Sequence, residues 1–265
     1  MISPLAHISP NAIIGNNVTV DPFAVIHDDV RIGDDTHIMS SAIIMSGTII
    51  GKQCIIFPGA VLGAIPQDLK FIGEKTTVEI GDNTTIRECV TINRGTQDKW
   101  KTVVGSNCLI MAYTHIAHDC IVGNNVILAN SVQLAGHVEI GDFVTIGGLS
   151  AAAQFTKVGM HAYLAGYSII NKDIPPYIKG GRIPLSYAGV NVVGLQRRGF
   201  STQSIAHIHD AYRYIYNKGY NITQALELME KELTASPEQN SIVDFIKSSK
   251  RGIIKTFVKG EPDEN

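Results

Sequence analysis

Charge is scarce in this chain. Only 17% of its 265 residues are Asp, Glu, Lys or Arg, and they leave a formal net charge of −2 at pH 7. That balance gives no basis for nucleic-acid binding, which needs a strongly basic surface. Cysteine is sparse as well. Cys54, Cys89, Cys108 and Cys120 form no CxxC pair, so no disulfide framework is indicated and a reducing compartment fits. No stretch approaches the roughly 20 apolar residues needed to cross a bilayer. Met1-Ile2-Ser3-Pro4-Leu5 lacks a basic segment followed by an apolar one, so a signal peptide is not expected and the chain reads as cytoplasmic. What is abundant is hydrophobic residues, at 45%, enough for one large domain with a core and a smaller appendage.

Those residues repeat every six positions. The ladder runs Ile2, Ile8, Ile14, Val20, Ile26, Ile32, Ile38, Ile44, Ile50, Ile56 and Leu62, and returns at Ile80, Ile86 and Ile92. It continues from Val104 through Ile110, Ile116, Val122, Leu128, Leu134, Ile140 and Ile146, weakens at Ala152, and ends at Val158, Leu164 and Ile170. Four residues after each aliphatic comes a second small or β-branched one, such as Ala24, Val30, Thr36 or Ala42. Turn formers lie between, as in Asn16-Asn17, Asp34-Asp35 and Asn124-Asn125. A period of six suits neither an amphipathic helix nor a simple strand alternation. It suits short strands joined by tight corners, stacked so that each rung buries the face of the next. The aliphatics point inward and the corner pairs take the unusual backbone angles.

Two segments, 67–79 and 93–103, abandon the pattern and read as loops extruded from a coil spanning 1–176. Such loops are where function tends to sit. Beyond Pro175-Pro176 the repeat stops, and residues 186–257 read as an α-helical domain. Gly199 closes a helix ending at Arg197-Arg198, Ser201 starts the next, and Ser236-Pro237-Glu238 starts another. A helical cap here would cover the open edge of the last rung. The tail from Lys259 to Asn265 is charged and reads as disordered.

The leading chemical candidate is Thr114-His115-Ile116-Ala117-His118-Asp119-Cys120. His118 and Asp119 fill a corner, where polar residues are ordinary. One 18-residue coil onward, however, lies Gly136 with His137 beside it. Stacking then sets His118 about one strand spacing, roughly 4.8 Å, from the Gly136 N–H. Acyl transfer to a hydroxyl needs a base and donors for the tetrahedral oxyanion. Neutral His118 as base, Asp119 fixing its tautomer, and Gly136 as oxyanion donor meet those needs without a covalent intermediate, metal or cofactor. Cys54, Cys108 and Cys120 occupy the fifth hexad position and are read as packing residues.

The spacing resembles the hexapeptide-repeat transferases, which implies a β fold: a left-handed parallel β-helix followed by a C-terminal α-helical domain. More specifically, the chain resembles the UDP-N-acetylglucosamine O-acyltransferases of lipid A biosynthesis. The matching segments are Gln67-Asp68-Leu69-Lys70, Ile92-Asn93-Arg94-Gly95-Thr96, His115 to Cys120, Leu134-Ala135-Gly136-His137-Val138, Gln154-Phe155, Asp173-Ile174-Pro175-Pro176-Tyr177 and Gly194 to Phe200. The resemblance implies transfer of a 3-hydroxy fatty acyl group from acyl carrier protein to the 3-hydroxyl of UDP-N-acetylglucosamine by a homotrimer. It implies His118 as general base supported by Asp119, with His115, His137 and Gln154 at the substrate. Asp68 and Lys70 would reach a neighbouring subunit's site. Arg197 and Arg198 would meet nucleotide phosphate or the carrier, and Gly166 would border the acyl chain. Ala151-Ala152-Ala153 and Asn93 depart from histidines common in the family, which bears on acyl selectivity. Outward apolar residues such as Ile127 and Phe143 offer surface for a partner copy to cover.

Two other enzymes remain open on the residues alone. A sister N-acyltransferase usually carries an N-terminal domain before its β-helix, whereas here hexads begin at Ile2. A γ-carbonic-anhydrase-type zinc enzyme would need three imidazoles, for which His115, His118 and His137 are available. A purely structural β-helix would leave the loops and the histidine cluster unexplained.

Overall fold

Each hexad folds as a two-residue strand followed by a two-residue turn, as in Val25–Ile26, Ile43–Ile44 and Ile127–Leu128. The second strand residue points inward, and Ile26, Ile44 and Leu128 have no exposed surface. The computed structural model describes residues 1–257, and every count and absence given below refers to those; the expectation for Lys259–Asn265 falls outside them. Strands one coil apart pair in parallel, so that His7 faces Val25, His115 faces Gln133, and Gln133 faces Ala151. They gather into three sheets of nine, eight and ten strands. Sheet I runs from His7–Ile8 to Ile169–Ile170, sheet II from Ile13–Ile14 to Lys157–Val158, and sheet III from Thr19–Val20 to Ser186–Val190. The chain visits them in the order I, II, III, which makes a three-sided coil with three edges, each a column of corners.

The core is a stack of aliphatics filled at its corners by the second small residue of each hexad. Ala24, Ala42, Ala60, Cys54, Cys108 and Cys120 are all buried there, whereas Cys89 is an exposed corner residue. The second corner residue is left-handed, at φ of 57° for Asp29, 58° for Asp35 and 57° for Asn125. Short polar side chains tolerate that region well. Phe143, His137, Phe155 and His161 adopt it too, at φ of 59–64°. Each such strained residue costs on the order of 1 kcal/mol. Stacking within the column offsets the cost: His137 lies 4.3 Å from Phe155 and Phe143 lies 4.7 Å from His161, ring centre to ring centre.

The extruded segments are shorter than the hexad count suggests. Thr77–Ile80 and Lys101–Val104 are paired strands of sheet II, and Asn93 still belongs to the strand Thr91–Asn93. The loops proper are therefore 65–76 and 94–100. Residues 186–190 also correct the sequence reading: Ser186–Val190 is an antiparallel strand against Ile178–Gly181, which itself adds to sheet III beyond Pro176. A five-residue strand with Gly189 inside carries too short a pattern to be told from a helix start.

Four helices follow: α1 (Val192–Arg197), α2 (Thr202–Tyr216), α3 (Ile222–Glu232) and α4 (Pro237–Ser248). Asn191, Ser201, Asn221 and Ser236 cap their N-termini, and Gly199, at φ +81°, follows the end of α1. The buried residues of α2 include Ile205, Ile208, Ala211, Tyr212 and Ile215, and the helix packs on α3, α4 and the Ser186–Val190 strand, where Tyr212 meets Tyr187. The Tyr212 hydroxyl donates to the Pro176 carbonyl. The chain then returns to the coil, where Ile253 bridges Asp173 and Thr256 bridges Tyr187.

Candidate active site

The edge between sheets I and II carries the histidine pair and both extruded loops. Its corners in successive coils are Asp28-Asp29, Ser46-Gly47, loop 65–76, loop 94–100, His118-Asp119, Gly136-His137, Gln154-Phe155 and Lys172-Asp173. Both extruded loops thus stand in one column with the histidine pair, just N-terminal to it.

His118 is 5% exposed and Asp119 fully buried. The His118 Nδ1 lies 2.8 Å from Asp119 Oδ2, and a carboxylate partner at Nδ1 leaves Nε2 as the basic nitrogen of the neutral ring. Asp119 accepts further hydrogen bonds from the Thr96 hydroxyl at 2.6 Å, the Thr96 N–H at 3.0 Å and the Lys99 N–H at 3.1 Å. Burial pushes its carboxyl up, but bonds from Thr96, His118 and Lys99 outweigh it and hold Asp119 below the usual carboxylate range. Asp119 is therefore an ionised, four-fold hydrogen-bonded anchor for the imidazole.

Gly136 lies under that ring. A Cβ built on it would stand 2.6 Å from His118 Cε1 and 2.7 Å from Nε2, so only glycine lets the imidazole lie against the backbone here. Gly136 N–H finds no hydrogen-bond acceptor among the described residues. His137 crosses His118 edge-on at 5.0 Å. Its Nδ1 lies 3.0 Å from Asp98 Oδ2, without the alignment of a hydrogen bond. The half-buried His115 holds Thr91 Oγ1 at 2.7 Å through Nδ1. Burial, followed by nearby His118, keeps the His115 ring below the usual histidine range.

The other expected site residues spread over the molecule. Gln154 is in the same column, exposed, with its carbonyl accepting from Arg251 at 3.1 Å. Asp68 and Lys70 sit in the lower loop, where Asp68 accepts the Lys70 N–H at 2.9 Å; neither bonds to the His118 corner. Gly166 belongs to the edge between sheets III and I. Arg197 and Arg198 end α1 beside the edge between sheets II and III, with the Arg198 guanidinium 5.3 Å from the Phe143 ring. Phe143 is thus covered by its own chain, by Arg198 and His161, and is not the bare apolar surface that its sequence position suggests.

Sequence reasoning missed the upper loop's contribution. Besides Thr96 and Asp98 it supplies Lys99, whose Nζ lies 2.8 Å from Glu139, which in turn holds Lys157 at 3.2 Å. The signal available was the adjacency of that loop to the next coil on the same edge.

For a metal, the donors that converge are His118, Asp119 and His137, whose ligand atoms lie within 4.8 Å of one another. His115 does not join them. The three-imidazole set of a zinc enzyme is therefore not assembled among the described residues.

Known proteins share this fold and are similar over nearly the whole chain. Residues 173–254 match the family profile described as Udp N-acetylglucosamine O-acyltransferase, domain 2, and residues 29–64 and 101–136 match bacterial transferase hexapeptide repeats. The chain is 49% identical over 259 residues to the acyl-(acyl-carrier-protein)–UDP-N-acetylglucosamine O-acyltransferase of Chlorobaculum tepidum, covering 97% of this chain and 98% of that one. The enzyme of the same name from Thermodesulfovibrio yellowstonii is 43% identical, with 96% and 99% covered. Among solved structures, the UDP-N-acetylglucosamine acyltransferase of Bacteroides fragilis superposes with a TM-score of 0.95 at 52% identity, covering 96% of this chain and all of that one. The Arabidopsis enzyme does so with a TM-score of 0.85 at 32% identity, with 96% and 100% covered. The fold is the left-handed parallel β-helix expected of hexapeptide repeats.

Proposed function

The chain belongs to the UDP-N-acetylglucosamine O-acyltransferase family and is an acyltransferase, and from that premise we propose a direct transfer catalysed by His118. A 3-hydroxy fatty acyl group passes from acyl carrier protein to the 3-hydroxyl of UDP-N-acetylglucosamine, the first step of lipid A biosynthesis. The observation that carries the mechanism is the imidazole of His118, held at Nδ1 by buried Asp119 and lying over Gly136.

His118 Nε2 takes the proton of the sugar hydroxyl as its oxygen attacks the thioester carbonyl. The oxyanion of the tetrahedral intermediate is held by the Gly136 N–H, which has no other acceptor. Collapse breaks the carbon–sulfur bond, and the imidazolium returns its proton to the leaving thiolate. His115, His137 and Gln154 contact the substrates, Arg197 and Arg198 receive the nucleotide phosphates or the acidic carrier, and Gly166 leaves room along the acyl chain. A homotrimer is part of the proposal. Arg197 and Arg198 lie by the edge between sheets II and III and His118 on the edge between sheets I and II, so the width of sheet II separates them within one chain, and the proposed site combines them from two copies. The reaction suits a cytoplasmic enzyme, and no helix among the described residues is long and apolar enough to cross a membrane.

The test is acyl transfer by purified protein, in metal-free buffer, from a panel of acyl carrier thioesters to UDP-N-acetylglucosamine. Replacing His118 by Ala removes the base and is expected to slow transfer by about 100- to 10,000-fold. A wild-type protein that transfers from no thioester, or only when zinc is added, would overturn the proposal.

A further inference from the structure

Asp119 owes its setting to a segment outside the repeat. The 94–100 loop folds back on itself, with Trp100 N–H bonded to the Thr96 carbonyl at 2.8 Å. It is pinned to the coil by Gly95 N–H on the Thr77 carbonyl at 3.3 Å and by the Lys99–Glu139 ion pair. Thr96 is buried, at 8% exposure. Its hydroxyl oxygen accepts the Asp98 N–H at 3.3 Å. With that lone pair engaged, the hydroxyl proton is free to point at Asp119 Oδ2, 2.6 Å away. Oδ2 is also the oxygen that faces His118 Nδ1. One carboxylate oxygen is thus shared by the Thr96 hydroxyl and the imidazole, while the Thr96 and Lys99 N–H groups hold Oδ1.

We propose that Thr96 is a positioning residue for the reaction, its hydroxyl fixing the Asp119 carboxylate so that His118 presents Nε2, and not Nδ1, to the substrate. Asp119 could bond His118 without the Thr96 hydroxyl, but Oδ2, the end that faces the ring, would then be held by the ring alone, about a torsion that is broad for this side chain. Two N–H groups on Oδ1 and one hydroxyl on Oδ2 fix both ends of the carboxylate plane. The groups facing this pair are His115 from sheet I, His137 from the next corner, and Asp98 and Lys99 from the loop itself. None of them hydrogen-bonds Oδ2 besides His118 and Thr96.

The inference rests on His118 acting as the base, and the experiment separates the two claims. In wild-type protein, nitrogen-15 NMR of the His118 ring is expected to report the proton on Nδ1 and a basic Nε2 at neutral pH; a proton on Nε2 overturns the inference whatever the activity. Thr96→Val keeps the volume and both N–H bonds but removes the hydroxyl, and is expected to lower kcat by on the order of 10- to 100-fold, as for a lost hydrogen bond to a charged group. KM for the sugar nucleotide should stay within about two-fold, because the lost contact acts on the base and not on substrate binding. Thr96→Ser is expected to recover most of kcat. An active wild type with a Thr96→Val variant of unchanged kcat, or a Thr96→Ser variant as slow as the valine one, refutes the role of the hydroxyl. A wild type without any transfer would instead refute His118 as base, and would leave the NMR tautomer to decide this point alone.

Discussion

Gly136→Ala is the sharpest test of how the corners are stacked. The φ of Gly136 lies outside the left-handed region, so alanine is acceptable to the backbone. Its Cβ is not acceptable to the neighbour: it would stand 2.6 Å from His118 Cε1 and 2.7 Å from Nε2. Nonbonded carbons prefer roughly 3.5–4.0 Å, so the ring must retreat by about 1 Å. Overpacking of this kind costs about 1–3 kcal/mol of stability, small enough against a typical total of roughly 5–15 kcal/mol for the protein to remain folded. Activity should suffer more. A reacting group misplaced by about 1 Å loses on the order of 100-fold in rate, or about 2.7 kcal/mol of transition-state stabilisation. Gly181→Ala is the control, since its Cβ would meet only the Ala165 Cβ at an ordinary 3.7 Å. The assay is kcat/KM for acyl transfer, with thermal unfolding run alongside. A Gly136→Ala enzyme as fast as wild type would mean that the imidazole need not lie on this backbone to react.

Two further outcomes follow from burial. The His161 ring, stacked between Phe143 and Tyr177, is pushed down to about 4 by burial and then by neighbouring Arg198, against Asp142. Its folded pKa is depressed below the ordinary 6.5, so the unfolded chain binds more protons between pH 6.5 and 4, and stability falls as pH drops through that window. His161→Phe should flatten that fall by on the order of 1 kcal/mol after screening, and urea midpoints measured from pH 7 to 4 that track wild type in parallel would contradict it. Among the cysteines, burial pushes the Cys120 thiol up to about 12 and raises Cys54 and Cys108 as well, whereas Cys89 is exposed. Brief alkylation at pH 8 of native protein, followed by peptide mass spectrometry, should label Cys89 and spare the other three.

The repeat was readable because every inward position obeys one arithmetic. Ile26, Ile44, Ile116 and Leu128 follow from a period of six without any knowledge of partners. The same arithmetic joined His118 to Gly136 and Gln154, since corners one coil apart share an edge. Applied further, it would also have separated Gly166, which stands 48 positions after His118 and so not a whole number of 18-residue coils. The loops resisted for the opposite reason. Thr96 and Lys99 reach Asp119 from a segment with no period, over a separation of 20 to 23 residues, and nothing in local pattern encodes that return. The 186–190 strand was hidden because a single antiparallel partner, Ile178–Gly181, defines it, and pairing across a turn containing Pro184 leaves no hexad to count.

A stacked coil imposes a division of labour that a globular pocket does not. Side chains on one edge rise in steps of one strand spacing, roughly 4.8 Å, close enough for His118, Gly136 and His137 to act on one bond. Residues on different edges are held apart by a core too well packed to deform. Anything that must combine groups from two edges has only two routes: a loop long enough to leave the coil, or a second copy laid alongside. This chain extrudes two loops from the same edge. Loop 94–100 curls back onto its own edge and completes Asp119. Loop 65–76 projects Leu69, fully exposed, away from the coil, and Arg198 waits on another edge with its Nη1 buried and unpartnered. The first loop serves the proposed base, His118, within its own chain. On the proposed reading the second loop and the arginines meet a neighbour, so the homotrimer is part of the catalytic proposal and not an addition to it.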